Sequence, residues 1–251
     1  MNIITLTPQN LESEHICCAI TSNKDPQVAS KKAWLSHAIE QGLLFQKCDV
    51  RGKCFIESIP AENAWVPVSA DGYQYVNCFW VSGQWKGHGY ANQLLEECIQ
   101  ASRKNGKKGL VILSSDKKRP YLSDPGYLLY KGFSIADTAE PYFHLLYLPF
   151  SPDAPKPFFL PQAKRPSCDG QGFTLYHTHQ CPFTAKYVPL IEGMAKQRGA
   201  AFRSILLESA EQAKAAPCPF TTYGLFYNGE FITHEIFSEK KFDKILTERG
   251  Y

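Results

Sequence analysis

The sequence has no long apolar run, no closely spaced cysteine pair of the C-x-x-C type and no marked excess of charge of one sign. No stretch is apolar over the roughly 20 residues that a membrane-spanning helix requires, so no membrane partner is expected. Its first residues carry neither a basic segment nor a long apolar segment, which argues against a secretory signal. The nine cysteines lack zinc-ligand spacing, and they predict free thiols in a reducing cytoplasm and no metal site.

The charge balance argues against a dedicated nucleic-acid binder. The chain of 251 residues carries 27 Lys and Arg against 24 Asp and Glu, a net charge of +3. Residues 1–150 contribute 15 cations and 14 anions, and residues 151–251 contribute 12 and 10, so the excess is +1 and +2. Neither part has the basic surplus typical of nucleic-acid-binding domains. The length permits two domains that each bury a core.

The most informative stretch covers residues 73–101. Residues 73–81 are rich in aromatic and β-branched side chains, which predicts a strand. A glycine-rich turn follows, and from Ala91 onward apolar residues recur at three- and four-residue spacing, which predicts an amphipathic helix. Glycines let a ligand approach the backbone, and the start of a helix offers unpaired N–H groups and partial positive charge. The stretch therefore predicts a binding site for a phosphate-bearing ligand.

The spacing of the glycines narrows the choice of ligand. No Gly-Lys-Ser/Thr follows the turn, as a Walker A loop requires, and the third glycine and acidic ribose ligand of a dinucleotide site are missing. Residues 81–91 instead resemble the coenzyme A loop of the GNAT acetyltransferases, with the core Gln/Arg-x-x-Gly-x-Gly/Ala. Lys86, Gly89 and Ala91 take these three positions, and Lys86 departs from the pattern while keeping a cation. The alternative is an ordinary strand–turn–helix whose glycines serve only the turn.

The order of predicted elements in residues 1 to about 150 also resembles GNAT. A strand at 3–6 and two helices at 12–20 and 25–41 come first. A hairpin of two strands follows, at 43–50 and 54–59. Next come the strand at 73–81, which the coenzyme loop follows, and a buried strand at 109–113 that is parallel to it. A short helix at 127–133 and a closing strand at 142–148 complete the order. Four segments, at 55–57, 64–68, 78–83 and 141–145, are similar to the YoaP-like bacterial acetyltransferases, which are two-domain proteins without an assigned substrate.

Six prolines crowd residues 149–172, which predicts a linker with a domain boundary near Pro155. The predicted domains are therefore 1–155 and 156–251. The second has the element order β-α-β-α-β-β-α, with a Cys-Pro helix start and an Asn-Gly hairpin turn into a strand at 231–237, and it resembles the thioredoxin fold. Thr184 replaces the second cysteine of a C-x-x-C motif, which argues against dithiol oxidoreductase activity. The expected fold class is α/β (α+β): a GNAT acyl-CoA N-acyltransferase fold with a mixed sheet, followed by a thioredoxin-like domain.

The GNAT resemblance implies acetyl-CoA as the cofactor and a small-molecule or peptide amine as the acceptor. The N–H groups of residues 87–91 would hold the pyrophosphate, and an N–H near Trp80 and Val81 would polarise the thioester carbonyl. His88 is expected to face solvent within that loop. The implied coenzyme-binding residues are Trp80, Val81, Lys86, Gly87, His88, Gly89, Tyr90 and Ala91.

Acetyl transfer also needs a group that takes the proton of the amine and a group that protonates the leaving thiolate. Glu57, in an apolar strand, is the candidate base, the alternative being an exposed strand residue; Glu62 is a weaker candidate. The resemblance aligns Leu128 with the usual catalytic tyrosine of the family and Tyr121 with an asparagine. Tyr130 is therefore the candidate acid, and a packed aromatic residue is the alternative.

Cys181 is a second reactive candidate, because a helix start lowers the pKa of a thiol. His177 and His179 are close to it in sequence. The thioredoxin resemblance places Cys218 beside Cys181 and makes Pro219 the expected cis-proline; the alternative is a purely structural cysteine. The leading hypothesis is N-acetyl transfer from acetyl-CoA, with a second domain that covers or completes the acceptor site. Two further functions stay open beside it: a catalytically weak acetyl-CoA-binding sensor that contacts partners through its second domain, and a redox-regulated protein.

Overall fold

The structure is a computed structural model that describes residues 2–18 and 24–251. Its first eight strands are β1 (Ile3–Thr5), β2 (Leu44–Cys48), β3 (Cys54–Pro60), β4 (Val68–Ser69), β5 (Gln74–Val81), β6 (Gly109–Ser115), β7 (Ser134–Ala139) and β8 (Phe143–Pro149). All except β4 form one seven-stranded sheet in the order β1-β2-β3-β5-β6-β8-β7. β5 and β6 are parallel, as the buried apolar run at 109–113 predicts, and the other neighbours are antiparallel. The predicted mixed sheet is confirmed.

Helices cover both faces of this sheet. They are α1 (Pro26–Glu40), α2 (Tyr90–Lys104) and α3 (Pro125–Tyr130). Asp25 caps α1 by accepting a hydrogen bond from the Gln27 N–H at 3.0 Å. The apolar side of α1 packs with Phe45 and Phe55 on one face, and α2 and α3 pack with Ile56 and Val76 on the other. Neighbouring residues of β3 thus point to opposite faces, as strand geometry requires.

The proline-rich segment crosses the first sheet in an ordered path. It contains β9 (Phe158–Phe159), which pairs antiparallel with β4, and the short helix α4 (Pro161–Lys164). The Phe159 ring is buried in the cluster that surrounds α1. The Asp137 carboxylate accepts a hydrogen bond from the Phe159 N–H at 2.9 Å and pairs with Lys164, also at 2.9 Å. These contacts fasten residues 158–164 to β7.

Residues 173–251 form a four-stranded sheet with three helices. The elements are β10 (Phe173–His177), α5 (Pro182–Gln197), β11 (Phe202–Leu206), α6 (Ala210–Lys214), β12 (Tyr223–Tyr227), β13 (Glu230–Thr233) and α7 (Glu239–Glu248). The strand order is β11-β10-β12-β13, with β10 parallel to β11 and antiparallel to β12, and β12 antiparallel to β13. Asn228 and Gly229 have φ values of 48° and 83°, which produce the predicted hairpin turn.

The two sheets share an interface. Leu207, Ala213 and Ala216 of the second unit belong to the same buried cluster as the core beneath α1, and α1 lies against α5. Polar contacts reinforce this packing: the Lys214 Nζ donates a hydrogen bond to the Glu62 carbonyl at 2.5 Å. The apolar core of the first unit therefore continues into the second.

Three sequence predictions about local structure are wrong. In place of a helix at 12–20, residues 8–13 form turns and residues 14–18 are not helical, while residues 19–20 lie outside the described residues. Asn10 accepts a hydrogen bond from the Thr7 N–H at 2.8 Å and donates one to Thr5, and this local bonding competes with helix formation. The strand predicted at 231–237 already ends at Thr233. Within the described residues the cis peptide bond precedes Pro141, not Pro219.

Candidate functional site

The parallel strands β5 and β6 separate halfway along their length. They pair only where residues 74–76 face residues 110–112. The described part of β6 provides no partner for residues 77–81, although β3 pairs with residues 78–81 on the other side. A cleft of about 1240 Å³ opens at this divergence. One side of the end of β5 is therefore free to contact a ligand.

A glycine loop and the start of α2 border the cleft. Gly83, Gly87 and Gly89 all have positive φ, at 63°, 82° and 77°. Gly89 is the N-cap of α2 and has no side chain to satisfy the first N–H groups of the helix. Side chains added at Gly87 or Gly89 would meet open space, so a ligand can reach this backbone. These features suit a phosphate group, which prefers a helix N-terminus.

Seven of the eight predicted coenzyme-binding residues line the cleft: Trp80, Val81, Lys86, Gly87, Gly89, Tyr90 and Ala91. His88, the eighth, stacks on Tyr90 with ring centroids 5.6 Å apart and is exposed. Lys86 forms no ion pair with any carboxylate of the described residues, so its charge is available to an anion. The predicted loop therefore borders the cleft except at His88, which does not line it.

Glu57 lies at the floor of the cleft, where the alternative of an exposed strand residue does not hold. Its side chain is 1% exposed. One carboxylate oxygen accepts a hydrogen bond from the Lys31 Nζ at 2.6 Å, and the other accepts one from the Asn77 Nδ2 at 3.1 Å. The register of β3 against β5 shifts between Glu57 and Ser58, as in a β-bulge, which redirects side chains at this point.

Sequence reasoning missed Lys31, although a signal was present. Lys31 lies three residues after Val28 and four before Leu35, both buried on the apolar side of α1. A lysine inside such a stripe needs a partner, because buried charges are found paired. The stripe therefore predicts a partnered lysine, and the structure identifies Glu57 as the partner.

The structure contradicts the prediction that Tyr130 is the general acid. Its side chain is 83% exposed at the end of α3, and it does not line the cleft. Tyr127, one turn earlier, does line the cleft, and its hydroxyl donates a hydrogen bond to the Asn92 Oδ1 at 3.1 Å. Burial raises the pKa of Tyr127 to about 12, so it stays protonated at neutral pH. Glu62, the weaker base candidate, pairs with Lys107 at 3.3 Å, outside the cleft.

The second unit provides the opposite wall of the cleft. Gln180, Cys181, Phe183 and Tyr187 reach it from the start of α5, and Phe220, Thr222 and Glu235 reach it from the loops beside β12 and β13. Tyr121 joins them from the loop before α3, with a φ of 63°. Sequence reasoning expected the second domain to cover or complete the acceptor site and singled out Cys181. It did not identify the other residues of this wall, because pairing between distant elements has no local signal.

The expected activation of Cys181 does not occur. Burial raises the pKa of its thiol to about 11, although the N–H groups of Phe183 and Thr184 act in the opposite direction. Its charged neighbours are Lys31 and Glu57. The start of α5 lowers the pKa of the Cys181 thiol by less than burial raises it.

Cys218 occupies different surroundings. Its thiol is fully buried and donates a hydrogen bond to the Phe220 carbonyl at 3.6 Å. It packs so tightly on Gly224 that an added Cβ there would lie 2.5 Å from the sulfur. Burial raises the pKa of Cys218 to about 12, and the nearby Cys168 thiol adds to this shift. The His177 Nε2 lies 3.0 Å from the Ser204 Oγ on β11, and burial lowers the pKa of His177 to about 4.

Other kinds of site are not evident in the described residues. Within residues 2–18 and 24–251, no group of three or more His, Cys, Asp or Glu side chains is arranged to hold a metal ion. No helix in this part of the chain is both long and apolar enough to cross a bilayer. All nine cysteines are free.

A mixed sheet with two parallel strands beside a glycine loop and a helix start is the arrangement implied by the GNAT resemblance. Comparisons with known proteins give the family. The chain is 40% identical over 247 residues to a Bacillus subtilis (strain 168) protein described as an uncharacterized N-acetyltransferase, YoaP, with 98% of each chain covered. The YoaP-like family model matches residues 202–244. The chain belongs to the family of this YoaP N-acetyltransferase.

Two solved structures match part of the chain. A GNAT family acetyltransferase from Brucella melitensis, in complex with acetyl-CoA, is 20% identical and covers 62% of this chain and 91% of its own, with a TM-score of 0.38. The PaiA N-acetyltransferase from Thermoplasma acidophilum, in complex with coenzyme A, is 16% identical and covers 60% of this chain and 100% of its own, with a TM-score of 0.40.

Proposed function

We propose that the protein is an N-acetyltransferase that moves the acetyl group of acetyl-CoA to an amine. The observation that carries this proposal is the divergence of β5 from β6 beside the Gly87–Gly89 loop, in a chain of the YoaP N-acetyltransferase family. The divergence frees N–H and C=O groups of one strand, and the loop offers further N–H groups to an anion. A thioester with a pyrophosphate tail needs both kinds of contact.

The coenzyme would be held along the free side of β5. The N–H groups of residues 87–91 and the Lys86 ammonium would bind the pyrophosphate. A backbone N–H near Trp80 or Val81 would donate to the thioester oxygen, where negative charge develops during attack. All of these groups belong to residues of the cleft or its glycine loop. The one charged group among them, the Lys86 ammonium, forms no ion pair with a described residue.

The reaction needs two proton transfers and no redox partner. The amine nitrogen attacks the thioester carbonyl carbon, so that a C–N bond forms and the C–S bond breaks. Glu57, directly or through water, takes a proton from the amine, and Tyr127 gives a proton to the leaving thiolate. The products are the N-acetylated amine and the coenzyme A thiol, with one proton released when the acceptor enters as an ammonium ion.

The second unit is proposed to be a thioredoxin-like accessory domain. The support is its sheet, in which β10 is parallel to β11 and antiparallel to β12, with α5 starting after β10 at a Cys-Pro pair. Thr184, at the position of a second cysteine, is buried and donates a hydrogen bond to the Thr178 carbonyl at 2.6 Å. The domain would therefore shape the acceptor site without exchanging electrons. The nine free thiols support a reducing, cytoplasmic location.

Domains of 1–155 and 156–251 remain part of the proposal, with residues 158–164 at the start of the second domain packed against the first. The exposed stretch at residues 151–156 is the expected first site of limited proteolysis, because exposed loop tips are cut before paired segments. First cuts inside residues 158–164 would contradict this boundary. Mass spectrometry of the early fragments decides between them.

The decisive experiment joins binding to turnover. Calorimetry with acetyl-CoA tests the coenzyme site, and release of free thiol across a panel of amines tests the transfer. We expect binding together with amine-dependent release of thiol. Absence of acetyl-CoA binding overturns the proposed function, whereas binding without turnover on any amine makes the protein an acetyl-CoA sensor.

A further inference from the structure

The two sides of β5 face different halves of the cleft. Phe79 and Val81 pack with the cluster around α2, whereas Cys78 packs with the cluster around α1. Trp80 shares the side of Cys78, because alternate residues of a strand point the same way. The proposed coenzyme site lies at the start of α2. Trp80 faces the half of the cleft on the opposite side of the sheet. An acceptor that approaches the thioester from the other side must therefore enter this half.

This acceptor half is walled by aromatic rings from both units. Phe183 and Tyr187 come from α5, with ring centroids 6.3 Å apart. Phe220 precedes β12, and Tyr121 comes from the first unit; both line the same cleft. Aromatic walls bind large apolar groups well, because they bury much area at little cost in side-chain entropy.

Lys53 places a cation in this aromatic half. Its Nζ lies 4.2 Å from the centre of the Trp80 ring and 5.9 Å from that of Phe183, so it sits between the two units. No carboxylate among the described residues forms an ion pair with it. Its charge is therefore balanced only by the rings, which attract a cation more weakly than a carboxylate does.

The other charged residues of this half already have partners. Arg119 pairs with Asp116 at 3.0 Å, and Lys118 pairs with Asp124 at 3.1 Å. Glu235 pairs with Lys241. Lys53 is therefore the cation best placed to bind an anionic group on the acceptor.

Resting on the proposed function, we propose that the acceptor is a primary amine that carries both a large apolar group and a carboxylate, the chemistry of a hydrophobic α-amino acid. The apolar group packs on Phe183 and Tyr187, and the carboxylate binds the Lys53 ammonium. The amine then points to the floor of the cleft, where Glu57 lies.

Matched acceptors test each part of this chemistry on the full-length protein. Phenylalanine and leucine are compared with phenethylamine and isopentylamine, which lack the carboxylate, and with glycine, which lacks the apolar group. We expect kcat/KM to be highest for phenylalanine or leucine, and at least about tenfold lower when either group is missing, the loss expected for one charge-assisted contact. Equal kcat/KM for phenylalanine and phenethylamine overturns the role of the carboxylate.

Substitutions then test whether Lys53 and Phe183 produce the preference among acceptors. Lys53→Met should raise KM for phenylalanine roughly 10- to 100-fold, while KM for phenethylamine and the affinity for acetyl-CoA stay unchanged. Lys196→Met, an exposed lysine on α5, is the charge-matched control. Phe183→Ala should raise KM for both aromatic amines, and Leu190→Ala, on the exposed side of α5, should not.

The outcomes separate this inference from the proposed function. If acetyl-CoA does not bind, the proposed function fails and the inference fails with it. If acetyl-CoA binds but no hydrophobic α-amino acid is acetylated, only the acceptor class is overturned. The acceptor class is likewise overturned if Lys53→Met changes KM equally for phenylalanine and phenethylamine.

Discussion

The Lys31 Nζ lies 2.6 Å from the Glu57 Oε2, and both side chains are 1% exposed. The pair joins α1 to β3 across 26 positions of sequence. Charges buried to this degree are tolerated only when both partners are present. The floor of the cleft is therefore held by an ion pair whose carboxylate is also the candidate base.

Glu57→Gln should affect both stability and turnover. It leaves the Lys31 ammonium buried without its partner, which costs about 3–5 kcal/mol of unfolding free energy. Loss of a general base should lower kcat roughly 100-fold or more. Urea unfolding and thiol release measure the two effects.

A double variant separates the two roles of Glu57. In Lys31→Met/Glu57→Gln no charge is left unpaired, so most of the stability should return while turnover stays low. Recovery of turnover together with stability would mean that Glu57 acts only in the structure.

Gly89→Glu should weaken acetyl-CoA binding at least roughly tenfold, because it places a carboxylate where the helix start attracts an anion. Gly89 also has a φ of 77°, so the substitution brings backbone strain. Gly106→Glu is the matched control: its φ is 66° and it has open space around it, but it lies at the other end of α2. Calorimetry should show normal affinity for the control, and equal losses in both variants would contradict the coenzyme site.

Tyr127→Phe should lower kcat about tenfold to a hundredfold, since it removes the hydroxyl that faces the cleft. Tyr130→Phe should leave kcat unchanged, because its ring is exposed to solvent. Steady-state thiol release distinguishes the two positions. A larger loss at Tyr130 than at Tyr127 would restore the assignment made from the sequence.

The buried imidazole of His234 should make the folded protein less stable in mild acid. Burial lowers its pKa from 6.5 to about 4; contacts with Pro120 and Glu235 oppose this shift, and Arg119 adds to it. Its imidazole lies 2.7 Å from the Tyr142 hydroxyl and 2.9 Å from the Pro120 carbonyl. The unfolded chain binds a proton on this side chain below pH 6.5, whereas the folded chain does so only near pH 4.

The contribution of His234 is therefore complete above its unfolded pKa and is lost as the pH falls. Urea unfolding at about pH 7.5 and about pH 5 should show a drop of about 2 kcal/mol from this residue. His234→Asn should reduce the drop by that amount. His37→Asn, on the surface of α1, is the control and should not alter it.

Much of the fold could be predicted from local signals. The Asn228–Gly229 turn, the Asp25 cap and the apolar run of β6 each mark an element by short-range chemistry, and all three are present. The glycine loop before α2 was likewise predictable, because glycines and the start of an amphipathic helix are adjacent in the sequence.

The acceptor side of the cleft depends on contacts that no local pattern contains. Lys53 meets Phe183 across 130 positions, and Lys31 meets Glu57 only because α1 lies on the sheet at that angle. The Tyr130 assignment failed for a related reason. Tyr130 is the last residue of α3, where its ring reaches solvent, whereas Tyr127 lies within the helix and lines the cleft.

The pairing of β4 with β9 also has a consequence for synthesis of the chain. Val68 and Phe159 are partners in that ladder, and the Phe159 ring fills part of the core under α1. Domains fold as units while the chain is being made, starting from the N-terminal end. The first unit cannot complete its core on the ribosome until Phe159 has left the exit tunnel, so its last folding step waits for residues beyond its own sheet.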